Sequence, residues 1–86
     1  DLALADYNKA LELAPDDAGV YNNRGVLYKN LKQYDLALAD YTKALELNPN
    51  YRRAYRNRAR VYLLLKKHEL ALQDEKKAEK LAKASR

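Results

Sequence analysis

The sequence predicts an all-α fold of five antiparallel helices, and three observations predict it. The first is self-similarity. DLALADYNKALELAP at residues 1–15 returns as DLALADYTKALELNP at residues 35–49, 34 positions on. These copies differ only at Asn8/Thr42 and Ala14/Asn48, and a weaker third copy, ELALQDEKKAEKLAK, follows at residues 69–83. The second is the helical recurrence of apolar residues, with no segment showing the period-two alternation of a half-buried strand. The third is punctuation: the 86 residues hold two Gly and two Pro, and each proline closes a copy of the repeat.

In the first helix Leu2, Ala3, Tyr7, Ala10, Leu11 and Leu13 make one broad apolar face. Pro15 ends it, because proline lacks an amide hydrogen and disfavours the helical region for Ala14. Asp16 and Asp17 offer carboxylates to the free amides of a second helix, from about Ala18 to Leu31. A turn at Lys32-Gln33-Tyr34 leads to the third helix, about Asp35 to Leu47, closed by Pro49. Asn50 is the expected cap of a fourth helix, about Tyr51 to Leu65. Lys66-Lys67-His68 is the next turn, and a fifth helix fills Glu69 to about Ala84. Turns this short join antiparallel neighbours.

Composition narrows the function. There is no Cys, so disulfides, thiolate metal sites and thiol nucleophiles are excluded, and a reducing, cytoplasmic setting is expected. No apolar run reaches membrane-spanning length, so no membrane partner is expected. The net charge of +5 is uneven: residues 1–48 sum to −3 and residues 49–86 to +8. The basic half suits an acidic partner, or the two halves attract each other between copies. His68 is the only histidine and occupies the turn position of Tyr34; with no phosphate loop or metal pair in sight, neither catalysis nor a cofactor is expected.

Two helices per 34 residues, with Tyr21, Arg24-Gly25, Tyr28, Ala37-x3-Tyr41, Ala44 and Pro49 at set spacings, resemble the tetratricopeptide repeat family. The next repeat offers Tyr55, Arg58-Ala59, Tyr62, Ala71 and Ala78, and the first half-repeat Ala3, Tyr7, Ala10 and Pro15. The resemblance implies a single array: a lone second helix at 1–15, one repeat at 18–49 and another at 52–86. It also implies stacking into a right-handed superhelix with a concave groove. The groove positions it implies are Gly19, Asn22, Asn23, Val26, Lys29 and Asn30, then Arg53, Arg56, Asn57, Arg60 and Leu64. Chaperone-binding members clamp a C-terminal carboxylate with Lys, Asn, Asn, Lys and Arg. Here Asn23 matches the middle Asn, Arg53 stands for a Lys, and Asn57 replaces the Arg.

The departures carry their own expectations. Arg24 and Arg58 stand where the family favours leucine, while Asp6, Asp40 and Asp74 recur with the repeat, so repeated Arg–Asp pairs across the helix packing are expected. Glu75, Glu79 and Lys83 replace Tyr, Leu and Pro in the last helix, giving it the polar outer face of an array's end. The first helix has no such polarity, so contact between copies through it is expected. The leading functional expectation is a protein-interaction module whose groove takes an extended acidic or carboxylate-ended peptide. Guanidinium forks and Asn amides recognise carboxylates and peptide backbone. A truncated or designed scaffold that only self-associates is the alternative. Nucleic-acid binding by the basic half ranks below both, because the tyrosines are assigned to packing.

Overall fold

A computed structural model describes residues 1–84, which form five helices and, among the described residues, no strand. They are α1 (Leu2–Leu13), α2 (Ala18–Asn30), α3 (Tyr34–Leu47), α4 (Arg52–Leu64) and α5 (His68–Ala84). The closest packing is within the pairs α2/α3 and α4/α5, followed by α3 on α4 and α1 on α2, with α2 grazing α4. This is an all-α helical repeat: two complete hairpins preceded by a single helix.

Each boundary has a local cause. Asp1 caps α1 by accepting the amides of Ala3 and Leu4, and Asp17 caps α2 by accepting that of Val20. Asn50 does not cap α4. The Asn48 side chain accepts the Asn50 amide, forming an Asx turn through Pro49, and α4 starts after Tyr51 with no side-chain cap. The two hairpin turns are tighter than the sequence reading, so Tyr34 and His68 open helices instead of ending turns. In both turns a lysine takes the left-handed conformation, Lys32 at φ 61° and Lys66 at φ 60°. Gln33 N–H then bonds Tyr28 C=O at 2.8 Å and Lys32 N–H bonds Lys29 C=O at 2.9 Å, the Schellman pattern. Lys67 with Tyr62, and Lys66 with Leu63, repeat it 34 residues on.

The core lies where the two hairpins meet. Ala37, Tyr41 and Val61 form one buried cluster, flanked by Val26, Tyr28, Tyr34, Leu38 and Leu65. Ala44, Leu45 and Ala54 form the other, flanked by Ala18, Tyr21, Tyr51 and Tyr55. Gly25 sets the approach of α2 to α3: a Cβ there would stand 2.6 Å from Tyr41 Cε1. In the next repeat the same two positions hold Ala59 and Glu75, a larger residue on one helix facing a non-aromatic one on the other.

Candidate functional site: the arginine face of α4 and its supports

Arg24 and Arg58 hold the hairpins together. Arg24 Nε and Nη2 donate to the two carboxylate oxygens of Asp40 at 2.8 and 2.7 Å, and Arg58 makes the same fork on Asp74 at 2.8 and 2.8 Å. The remaining Nη1 reaches back to the preceding repeat, to Asn8 from Arg24 and to Thr42 from Arg58. Each guanidinium also lies between two rings of its own helix, Tyr21 and Tyr28 for Arg24, Tyr55 and Tyr62 for Arg58, at 5.6 to 5.8 Å. The carboxylate hydrogen bond, with the aspartate's charge, raises both arginine pKa values against the opposing effect of burial. These residues fix helix against helix and are not free for a ligand. Asp6 has no such partner: it is exposed and in no ion pair among the described residues.

Arg53, Arg56 and Arg60 are exposed on α4, as the spacing i, i+3, i+7 places them on one face. With Arg52 and Asn57 they line a depression of about 260 Å³ that has no carboxylate in its wall. Arg52 was not among the groove positions read from the sequence; its signal was simply membership of the run of five arginines in residues 52–60.

The positions expected on α2 separate. Asn22 is a correction: it is 1% exposed, its Oδ1 accepting from Asn57 Nδ2 at 3.0 Å across the α2–α4 contact. Its counterpart 34 residues on, Arg56, stays exposed because no further helix packs there among the described residues. Val26 is also partly withdrawn, packed against the Ala37/Tyr41/Val61 cluster. Asn23 and Asn30 are exposed and Lys29 half-buried, but none of them lines the arginine depression; Leu64 is 55% exposed at the end of α4. Asn22 and Val26 are thus withdrawn from the open surface that the resemblance implied, and Lys29 and Asn30 do not line the arginine depression.

No group of three or more His, Cys, Asp or Glu among the described residues is placed to hold a metal ion. No described helix is long and apolar enough to cross a membrane.

The geometry is that of a known class. Tetratricopeptide-repeat family models match residues 18–51 and 40–73, and a TPR repeat model matches residues 1–32. The chain belongs to the tetratricopeptide repeat family. Among solved structures it is similar to MamA MSR-1, with a TM-score of 0.92 and 35% identity over 100% of this chain and 49% of that one. It is similar to the TPR2B domain of yeast Sti1 in complex with a pHsp70 peptide, with a TM-score of 0.87 and 32% identity over 91% of this chain and 62% of that one. The first TPR of Spaghetti (RPAP3), bound to the HSP90 peptide SRMEEVD, matches with a TM-score of 0.87 and 29% identity over 91% and 62%. The chain thus spans about half to three-fifths of the length of these relatives. No curated protein sequence matches it significantly.

Proposed function

We propose that the chain is a non-catalytic interaction module that binds an extended acidic or carboxylate-ended peptide on the arginine face of α4. The observation that carries this is the depression walled by Arg52, Arg53, Arg56, Asn57 and Arg60 without an internal counter-charge. The like charges in this wall repel one another, partly offset by Glu75 and Glu79 in the adjoining cleft that Arg52 and Arg56 also line, and a carboxylate entering between them relieves that repulsion while gaining forked hydrogen bonds. Asn57 spends one amide hydrogen on Asn22 and retains acceptor capacity for a peptide backbone. Two of the similar structures hold peptides, and one of these, SRMEEVD, carries three acidic side chains, which favours an acidic ligand over a neutral one.

Anisotropy of a labelled acidic peptide tests this. Arg53→Ala with Arg60→Ala should weaken binding at least about tenfold, on the order of one lost charge-assisted hydrogen bond. Equal binding by the variant, or equally tight binding of generic RNA that collapses with added salt, would count against the reading. A second reading, contact between copies through α1, is favoured by Leu2 at 86% and Leu13 at 77% exposure. It predicts a sedimentation coefficient that rises with concentration.

A further inference from the structure

The 34-residue offset separates the arginine that builds the frame of α4 from those that do not. Five arginines stand in residues 52–60, and only Arg58 has an arginine counterpart on α2, Arg24. Both of these make the aspartate forks. The other four, Arg52, Arg53, Arg56 and Arg60, stand where α2 has Ala18, Gly19, Asn22 and Val26. All four are exposed, and none is in an ion pair among the described residues. Arg56 lies one helical turn from each of the other three, a spacing at which like charges destabilise a helix. Arg52 and Arg53 stand in the first turn, where the helix dipole is already positive, and that turn holds no acidic residue. The hairpin of α2 and α3 folds without these charges, so the frame does not call for them.

We propose that this cluster receives a phosphoryl group, carried by a phosphoserine or phosphothreonine of the bound peptide; the inference rests on the peptide-binding reading above and names the residue the arginines select. A carboxylate has one charge and two oxygens, and a single guanidinium fork engages both. Arg53, Arg56 and Arg60 share one face and wall one depression with Arg52 and Asn57. One carboxylate there leaves most of the donors and most of the charge unanswered. A phosphoryl group brings nearly two negative charges and three acceptor oxygens on a tetrahedral centre, so forks from different directions each find an oxygen. The nearby acids do not fill this need. Glu75 and Glu79 line only the adjoining cleft beside Arg52 and Arg56, and Glu79 already pairs with Lys83 at 3.1 Å.

The wall suits a short phosphorylated side chain on a peptide. It consists of arginines and Asn57, with no aromatic or aliphatic residue to hold the ring of a phosphotyrosine. Asn57 Nδ2 donates to Asn22 Oδ1 at 3.0 Å, which leaves the Asn57 carbonyl oxygen for a backbone amide beside the phosphorylated residue. Nucleic acid fits this surface less well. Arg53 and Arg60 are about 10 Å apart along the helix axis, one locus and not a track of phosphates. The rings of Tyr55 and Tyr62 flank the Arg58 guanidinium and are not offered to bases.

The test is the anisotropy of three fluorescein-labelled peptides, one short acidic sequence with serine, glutamate or phosphoserine at its centre, titrated with the 86-residue chain. The phosphoserine peptide should bind at least about tenfold tighter than the glutamate peptide. Arg56→Gln with Arg60→Gln should reduce that preference to about twofold or less. Both side chains are exposed, so this variant should keep the helical circular dichroism of the parent. Binding of the glutamate peptide with no gain from phosphoserine would overturn the inference and leave the acidic-peptide reading standing. Binding of none of the three would remove both. A preference that survives Arg56→Gln with Arg60→Gln would put the phosphoryl group elsewhere and overturn the proposal. So would equal competition by free O-phosphoserine or by generic RNA, since the ligand would then not be a peptide.

Discussion

Arg24 shows how a charged residue can serve where this family favours leucine. Its guanidinium lies between the rings of Tyr21 and Tyr28, its fork is satisfied by Asp40, and its last nitrogen reaches Asn8. Removing one partner is therefore worse than removing both. Arg24→Leu leaves Asp40, 4% exposed, with an unpaired charge and should cost about 3 kcal/mol, the low end for a buried pair because Arg24 is partly solvated. Arg24→Leu with Asp40→Ala should recover most of that loss, and urea unfolding of the three chains measures it. The partner was legible in sequence because both residues recur at the same offset. The tyrosine sandwich was not, since spacing alone does not say on which side of an arginine a ring lies.

Tyr41 is the other residue whose environment makes a prediction. It is fully buried, its hydroxyl has no hydrogen-bond partner, and burial, reinforced by the Asp40 charge and opposed by Arg60, pushes its pKa up to about 12. The unfolded chain releases this proton near pH 10, so above that pH the unfolded state binds fewer protons and stability falls. The loss should accumulate to about 2–3 kcal/mol by pH 12 and then level off. Tyr41→Phe removes both the titration and the unpartnered hydroxyl. It should be neutral or slightly stabilising at pH 7 and should flatten the alkaline loss in urea titrations between pH 10 and 12.

At the scale of the element, the two hairpin turns are the same device built twice. A left-handed lysine, Lys32 or Lys66, reverses the chain so that the last carbonyls of α2 and α4 find amides. Glycine is the usual residue there, and lysine hides the turn from a reading based on Gly and Pro. This is why the turns were placed one residue too far along and Tyr34 and His68 were assigned to them. Lys32→Gly should stabilise the chain by about 0.5 kcal/mol, relief of the left-handed strain partly offset by glycine's greater unfolded-state entropy. A shift in urea midpoint at unchanged slope would register it. The helices themselves were legible to within about a residue at each end, because their apolar period, prolines and repeat offset all agree.

At the scale of the whole molecule, position along the array decides what each repeated residue does. Asn22 and Arg56 occupy the same place in the repeat, but α4 buries the first and nothing described covers the second. The family resemblance could therefore name groove positions without saying which remain open, and that is why Asn22 and Val26 were expected on an open surface from which packing withdraws them. The residues that seat α4, Ala18, Asn22, Tyr41 and Leu45, become Arg52, Arg56, Glu75 and Glu79 one repeat on, a change from uncharged to charged with no change in net charge. The repeated stretch at 35–49 builds the frame, and the divergent α4 carries the exposed arginines.

The most direct measurement of that assignment is an NMR titration of the isotope-labelled chain with an unlabelled acidic peptide ending in a free carboxylate. The account predicts saturable shifts concentrated on the amides and guanidinium groups of Arg53, Arg56, Asn57 and Arg60, with Arg24 and Arg58 unmoved in their aspartate forks. Shifts confined to α1, α3 or α5, or none at millimolar peptide, would contradict it.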